Sequence, residues 1–369
     1  MFDPSVLFNQ PSASSEARPH FHRGRWPTAA SPGVAAWLWM MTLLVFALML
    51  VGGATRLTCS GLSITEWRPI TGLLPPLSEA QWSAEFDKYR RIPQFQRVNS
   101  HIGLAEFQVL YAWEWTHRSL ARFVGAAFLI PFLFVVVSGR LPLRLVWACA
   151  SIFLLGAVQV GVGWWMVHSG LSDRIDVAPA RLATHMLLGA ILVCALVWTA
   201  LEASARPTAR PVEPAWRGVA ILLGAVILLQ IGLGALVAGN GSGLVHGDWP
   251  LMGGRVVPDD YFGGQSWRAL VGGQAAVQFN HRMAAYGLLA AAGLVALGAA
   301  RSTTLPLGVK AGFVGVLLLL LAQAALGVAV LRTGVAVGVS LAHQALAIVI
   351  LAAVTALAWR LGRAAPMRV

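Results

Sequence analysis

Apolar residues in this chain do not alternate with polar ones; they come in long unbroken runs separated by polar connections. Eight such runs, near 34–54, 119–138, 145–167, 182–201, 218–238, 281–300, 309–331 and 339–359, are each about 20 residues long. That length crosses a hydrocarbon layer of about 30 Å as a helix, so the pattern predicts an all-α integral membrane protein with eight transmembrane helices. Two further helix-like stretches lie in the long connection between spans 1 and 2. Ser78 with Gln81 forms a capping-box pattern ahead of an amphipathic turn carrying Trp82 and Phe86, and residues 101–116 are rich in aromatics and run into span 2. Both are expected as amphipathic helices covering the periplasmic surface, where Trp and Tyr favour the interface.

The runs also repeat. Gly61-Leu62-Ser63 with Trp67 returns as Gly243-Leu244-Val245 with Trp249, an offset of 182. Thr116-His117-Arg118 returns as Asn280-His281-Arg282, and Gln159-Val160-Gly161-Val162-Gly163 resembles Gln323-Ala324-Ala325-Leu326-Gly327, both at 164. Leu182-Ala183-Thr184-His185 matches Leu341-Ala342-His343-Gln344, with 158 between the histidines. Four spans per repeat is an even number, so the halves insert with the same orientation, as two tandem four-helix bundles related by a pseudo-two-fold along the membrane normal. The expected boundaries are a disordered cytoplasmic tail (1–33), an N-terminal half (34–203), a cytoplasmic linker (204–217), a C-terminal half (218–361) and a short cytoplasmic tail (362–369). The first segment has no apolar run followed by a small-residue cleavage site, so it reads as a tail and not a signal peptide.

Composition supports the membrane assignment, since 57% of the 369 residues are hydrophobic and 11% are charged. A net charge of +12 could indicate nucleic acid, but its distribution points to membrane topology instead. Arg18, Arg23 and Arg25 precede span 1; Arg140 and Arg144 follow span 2; Arg206, Arg210 and Arg217 follow span 4. Arg301 and Lys310 follow span 6, and Arg360, Arg363 and Arg368 close the chain. The short opposite loops hold only Arg174, Arg181 and Arg332. Both termini are therefore expected in the cytoplasm of a multi-pass bacterial inner-membrane protein. Lys88, Arg90, Arg91 and Arg97 in the long first loop weigh little, because loops of that length translocate largely regardless of charge. Three cysteines, Cys59, Cys149 and Cys194, make no disulfide framework.

Four of the nine histidines occupy repeat-related positions near the periplasmic face: His117 and His281 in spans 2 and 6, His185 and His343 in spans 4 and 8. Ionisable groups in a span are expensive and mark function, and neutral imidazole is a good axial ligand for heme iron. The second and fourth helices of a bundle can face each other, so His117 with His185 and His281 with His343 are expected as two heme sites. The bland alternative is four separate interhelical hydrogen bonds. Zinc would want three ligands close together, which none of the four histidines has. Glu114, three residues before His117, has Gln278 as its counterpart, so only the first half carries a carboxylate there. On one reading it transfers protons or stabilises positive charge at a porphyrin edge; on the other it is an interfacial acid paired with Arg118 or Arg97. Arg118 and Arg282 either bind heme propionates or snorkel to the interface.

Gly52-Gly53-Ala54-Thr55-Arg56-Leu57-Thr58, Ser60-Gly61-Leu62-Ser63, Trp67-Arg68-Pro69-Ile70-Thr71-Gly72, Pro75-Pro76, Glu85-Phe86, Lys88-Tyr89, Glu106-Phe107 and Glu114-Trp115-Thr116-His117-Arg118 resemble the heme A synthase family, over roughly residues 34–360. The likeness is to its mitochondrial and alphaproteobacterial branch, because the paired outer-loop cysteines of the Gram-positive branch are missing here. The resemblance implies an oxidoreductase that converts heme O to heme A for cytochrome oxidase, by successive hydroxylations of one porphyrin methyl. It further implies that His281 and His343 hold a permanent heme B, that His117 and His185 receive the substrate heme O, and that Glu114 matches the family's functional glutamate. Heme O synthase is the implied partner, alongside an electron donor, membrane lipid and, as an option, further copies of the chain; nucleic acid is not expected. The alternative is a non-catalytic, quinol-linked diheme b-type cytochrome with equivalent halves. A repeat-built transporter would place polar residues near the midplane, which this sequence does not do.

Overall fold

The computed structural model describes residues 30–205, 214–261 and 269–362. The segment expected as a tail, through residue 29, lies outside the described residues, as do residues 206–213 of the expected linker and the terminal Arg363 and Arg368.

Among the described residues the chain is helical, with no strand. Its helices are α1 (Pro32–Leu57), α2 (Glu79–Tyr89), α3 (Leu104–Val137), α4 (Leu143–His168), α5 (Pro179–Ser204), α6 (Pro214–Gly239), the single turn α7 (Ala269–Gly272), α8 (Gln274–Arg301), α9 (Leu307–Arg332) and α10 (Val337–Leu361). Eight of them are long and apolar enough to cross a membrane, and each contains one of the eight runs. Pro at the first turn starts α1, α5 and α6, where its missing N–H costs nothing.

Helix α3 corrects one expectation. The aromatic stretch before span 2 is not a separate covering helix; it is the first part of a continuous 34-residue helix. At 1.5 Å per residue such a helix is about 50 Å long and projects well beyond a bilayer core. Glu106 Oε2 accepts the Gly103 N–H at 3.0 Å and starts the helix in the outer loop. Only α2 is a separate amphipathic element, and its capping box is formed: the Gln81 N–H donates to Ser78 Oγ, and the Ser78 N–H to Gln81 Oε1, both at 3.3 Å.

In water the projecting part of α3 is held by ordinary hydrophobic burial. Phe86 and Trp82 of α2 meet Phe107 and Tyr111 of α3 with ring centroids 5.0 and 5.1 Å apart, and Tyr89 and Phe107 are fully buried. The charges of this loop are largely neutralised within it. Arg68 pairs with Glu66 and, at 3.2 Å, with Glu85, while Lys88 reaches Glu85 at 2.8 Å and Glu66 at 3.2 Å.

Helix neighbours recur in the two halves. Helix α1 packs on α3, α3 on α4, α4 on α5 and α5 back on α1; likewise α6 packs on α8, α8 on α9, α9 on α10 and α10 on α6. The two rings meet where α5 touches α6 and α10, and α10 touches α1. This central seam is packed with buried apolar side chains, among them Val193 and Leu196 of α5 and Ile350 and Leu351 of α10. Between helices in lipid, close approach replaces hydrophobic drive. Gly239 of α6 accordingly lies so near α5 that a Cβ there would stand 2.8 Å from Pro179 Cα. Outward, Phe123, Ile130, Leu154, Leu229 and Leu294 are exposed, as a lipid-facing surface requires. Cys59, Cys149 and Cys194 are free thiols.

Candidate functional site

His185, His281 and His343 lie within about two turns of the start of their helices and His117 lies deeper in the longer α3, and each turns its ring onto a glycine of a neighbouring helix. A Cβ at Gly52 of α1 would stand 3.0 Å from His117 Nε2, and one at Gly163 of α4 would stand 3.0 Å from His185 Cε1. In the second half, a Cβ at Gly234 of α6 would stand 3.1 Å from His281 Cε1, and one at Gly327 of α9 would stand 3.1 Å from His343 Cε1. The glycines are spaced 182 and 164 residues apart across the halves, the same offsets that relate the sequence motifs. The four histidines thus fall two to each ring, His117 on α3 and His185 on α5 in the first, His281 on α8 and His343 on α10 in the second.

A glutamine one turn before the glycine completes three of these contacts. Gln159 Nε2 donates to the His185 carbonyl at 2.9 Å, Gln323 Nε2 to the His343 carbonyl at 3.0 Å, and Gln230 Nε2 to the His281 carbonyl at 2.9 Å. Sequence comparison of the halves had paired Gln159 with Gln323 but had given neither a role, and it missed Gln230. The signal was present as Gln-x-x-x-Gly on three helices, residues 159–163, 230–234 and 323–327.

The arginines that follow His117 and His281 do not snorkel. Arg118 donates to the carbonyls of Ile64 at 2.8 Å and Glu66 at 2.9 Å, fastening the first outer loop over its half. Arg282 donates to the carbonyls of His246 at 2.9 Å and of Asp248 at 2.9 Å, the positions 182 residues further on. Both guanidinium groups thus act as loop clamps built on main-chain acceptors, an arrangement with no local sequence signature.

The halves part company one turn before these arginines. Glu114 is buried, and its Oε1 accepts the Arg118 Nε–H at 2.7 Å. The ion pair expected with Arg118 or Arg97 is therefore with Arg118. At the matching place Gln278 donates to the His246 carbonyl at 2.9 Å, and both Gln278 Oε1 and Arg282 Nε are buried without a hydrogen-bond partner. Spacing on α3 puts Glu114 on the same helical face as His117. The second outer clamp differs as well: Arg122 holds the carbonyls of Arg68 and Pro69, both at 2.9 Å, whereas Tyr286 at that position accepts from Trp249 Nε1 at 2.9 Å.

Over the second half the loop makes its own turn. Asp248 accepts the N–H groups of Gly253 and Gly254, both at 3.0 Å, and these two main-chain donors hold its carboxyl below the ordinary value. Gly253 and Gly254 have φ of 61° and 78°, a left-handed region that favours glycine.

Two comparisons bear on the whole chain. The family model COX15-CtaA, described as cytochrome oxidase assembly protein, matches residues 35–355. A protein named heme A synthase from Caulobacter vibrioides is 48% identical over 331 residues, 89% of this chain and 96% of the relative. One of the same name from Caulobacter sp. strain K31 is 47% identical over 333 residues, with the same coverage. Another from Hyphomonas neptunium is 41% identical over 343 residues, 91% of this chain and 96% of the relative.

Proposed function

The chain belongs to the COX15-CtaA family of cytochrome oxidase assembly proteins, and on that premise we propose that it is a heme A synthase, an oxidoreductase that converts a methyl group of heme O to the formyl group of heme A. The observation that carries this reading is the buried carboxylate of Glu114, at a site whose twin has a neutral amide, Gln278.

The residues fit two hemes. Each pair offers imidazoles from two helices of one ring, each ring lies on a glycine that leaves it room, and His185 Nδ1 and His343 Nδ1 are buried with no hydrogen-bond partner. Among the described residues no three His, Cys, Asp or Glu side chains group as a metal-ion site, and each pair of imidazoles would instead hold a heme. We assign heme B to His281 and His343, and substrate heme O to His117 and His185. Heme B, when bound, supplies one-electron redox chemistry.

The chain's own part in the reaction is electrostatic and positional. Glu114, on the His117 face of α3, would offer its carboxylate to positive charge developing at the oxidised methyl carbon of a heme held by His117. Arg118 is a positioning residue: one side chain holds both the carboxylate and two loop carbonyls, so the carboxylate and the cover over the site move together. Each hydroxylation would insert one oxygen atom into a C–H bond from dioxygen as external oxidant, the electron donor reducing the other oxygen atom to water, and the hydrated aldehyde so formed loses water to give the formyl group. An electron donor serves the redox steps, and heme O synthase supplies the substrate. The protein is placed in the bacterial inner membrane, with both termini cytoplasmic and both sites towards the periplasm.

Pigment extraction from the purified protein tests the proposal. Heme B together with heme O or heme A supports it; heme B alone at two per chain would identify a diheme cytochrome instead.

A further inference from the structure

The four histidine contacts share a motif and break it once. On α4, α6 and α9 the sequence is Gln-x-x-x-Gly, with the glycine under the imidazole and the glutamine bound to the same histidine's carbonyl. On α1 it is Leu48-x-x-x-Gly52: the glycine is kept under His117, but leucine cannot donate. We propose that this motif grades how firmly each imidazole is held, and that Leu48 makes His117 the yielding ligand through which substrate heme enters and product heme leaves. The assignment of substrate to that site rests on the function proposed above.

The physical argument starts from the acceptor. A helical carbonyl already takes the N–H four residues on, and its second lone pair accepts the glutamine amide. That extra bond comes from a neighbouring helix, so it ties two helices together at the height of the ligand. In apolar surroundings an amide released from its acceptor goes unsolvated, which makes the tie costly to open. His281 and His343 both have such a tie, as a permanently held group needs; His185 has one, and among the described residues no glutamine makes one to the His117 carbonyl. The hydrogen bond that does join α1 to α3, from Trp37 Nε1 to the Ala127 carbonyl at 3.0 Å, is ten residues away from His117. At 1.5 Å per residue that is about 15 Å along the helix. Among the described residues α3 is thus hydrogen-bonded to α1 at the level of Ala127 and not at the level of His117, where the neighbouring Arg118 binds carbonyls of the outer loop instead.

Heme release from the loaded, detergent-solubilised protein to excess apomyoglobin tests this, with the transferred pigment identified by extraction. In the unaltered protein heme O should leave faster than heme B. Leu48→Gln should slow heme O release roughly three- to tenfold, the change one hydrogen bond makes in an equilibrium, and Gln230→Leu should speed heme B release by a similar factor. Gln230→Leu should also shift the electron paramagnetic resonance of the ferric heme B, because Gln230 Nε2 also lies 3.1 Å from His281 Nδ1 and that contact to the ring is lost. Unchanged release in both variants, with both pigments bound, would overturn the proposal. If Leu48→Gln does not insert, the apolar Gln230→Leu decides alone. If heme B proves the faster-leaving pigment and Leu48→Gln slows it, the motif rule holds and the assignment of substrate to the first half fails.

Discussion

Removing Arg118 should cost far more when Glu114 is present than when it is not. The Glu114 and Arg118 side chains are 5% and 18% exposed, and 2.7 Å separates Oε1 from Nε. Truncation by Arg118→Leu also removes two hydrogen bonds to loop carbonyls, but that loss is the same in either background and cancels in a double-mutant cycle. What remains is the carboxylate left buried without its partner, for which breaking a buried pair costs about 3–5 kcal/mol. Part of this is recovered as the loosened loop admits water, so a coupling of about 2–3 kcal/mol between Glu114→Gln and Arg118→Leu is expected. Gln278 with Arg282 is a built-in control: a neutral amide beside the same arginine should couple by about 1 kcal/mol or less. Thermal unfolding of the purified variants in one detergent measures it. Arg118→Leu should have the lowest midpoint, and adding Glu114→Gln should raise it by several degrees. A double variant no more stable than Arg118→Leu would show that the carboxylate does not depend on the guanidinium, and the reasoning would fail.

Three further outcomes follow from the geometry. Gly234→Ala puts a methyl 3.1 Å from His281 Cε1, so the ring must move; the low-spin heme B spectrum should weaken and shift, at an overpacking cost of about 1–3 kcal/mol, and an unaltered spectrum would count against ligation by His281. At the seam between the halves Gly53→Ala would collide with the Gln344 amide, which donates to the Met49 carbonyl at 2.8 Å; a lower unfolding midpoint is expected, with Gly156→Ala, where the space is open, as the neutral control. For Asp248 the folded-state carboxyl lies below its ordinary value of 3.8, so its contribution is present above that value and is lost as pH falls through the lowered one. Hydrogen exchange at Gly253 and Gly254 should therefore stay protected at neutral pH and lose protection only below about pH 4, and Asp248→Asn should remove that dependence.

The sequence made the eight crossings plain, because a run of about 20 apolar residues has few other uses. It also marked the histidines, since duplication repeats whatever both sites need. Continuity of α3 was harder to see: polar residues such as Glu114 and His117 interrupt the apolar pattern, and they are accommodated within one helix by the Arg118 guanidinium and by Gly52 of α1. The arginine clamps were hidden for a different reason. Their acceptors are main-chain carbonyls of Ile64, Glu66, His246 and Asp248, and a carbonyl carries no residue identity, so spacing alone left propionate binding and snorkelling equally open. The third glutamine escaped notice because its counterpart is Leu48; a motif kept in three places and lost in one does not align as a repeat, although the loss distinguishes the two sites.

The claim that this chain makes heme A is tested most directly in membranes that contain heme O synthase but no other heme A synthase. Expression of the unaltered chain should convert the accumulated heme O to heme A. Glu114→Ala should leave heme O unconverted while heme B remains bound to the purified protein; normal heme A output from that variant would contradict the role given to the carboxylate, and failure of the unaltered chain to produce heme A would contradict the account as a whole.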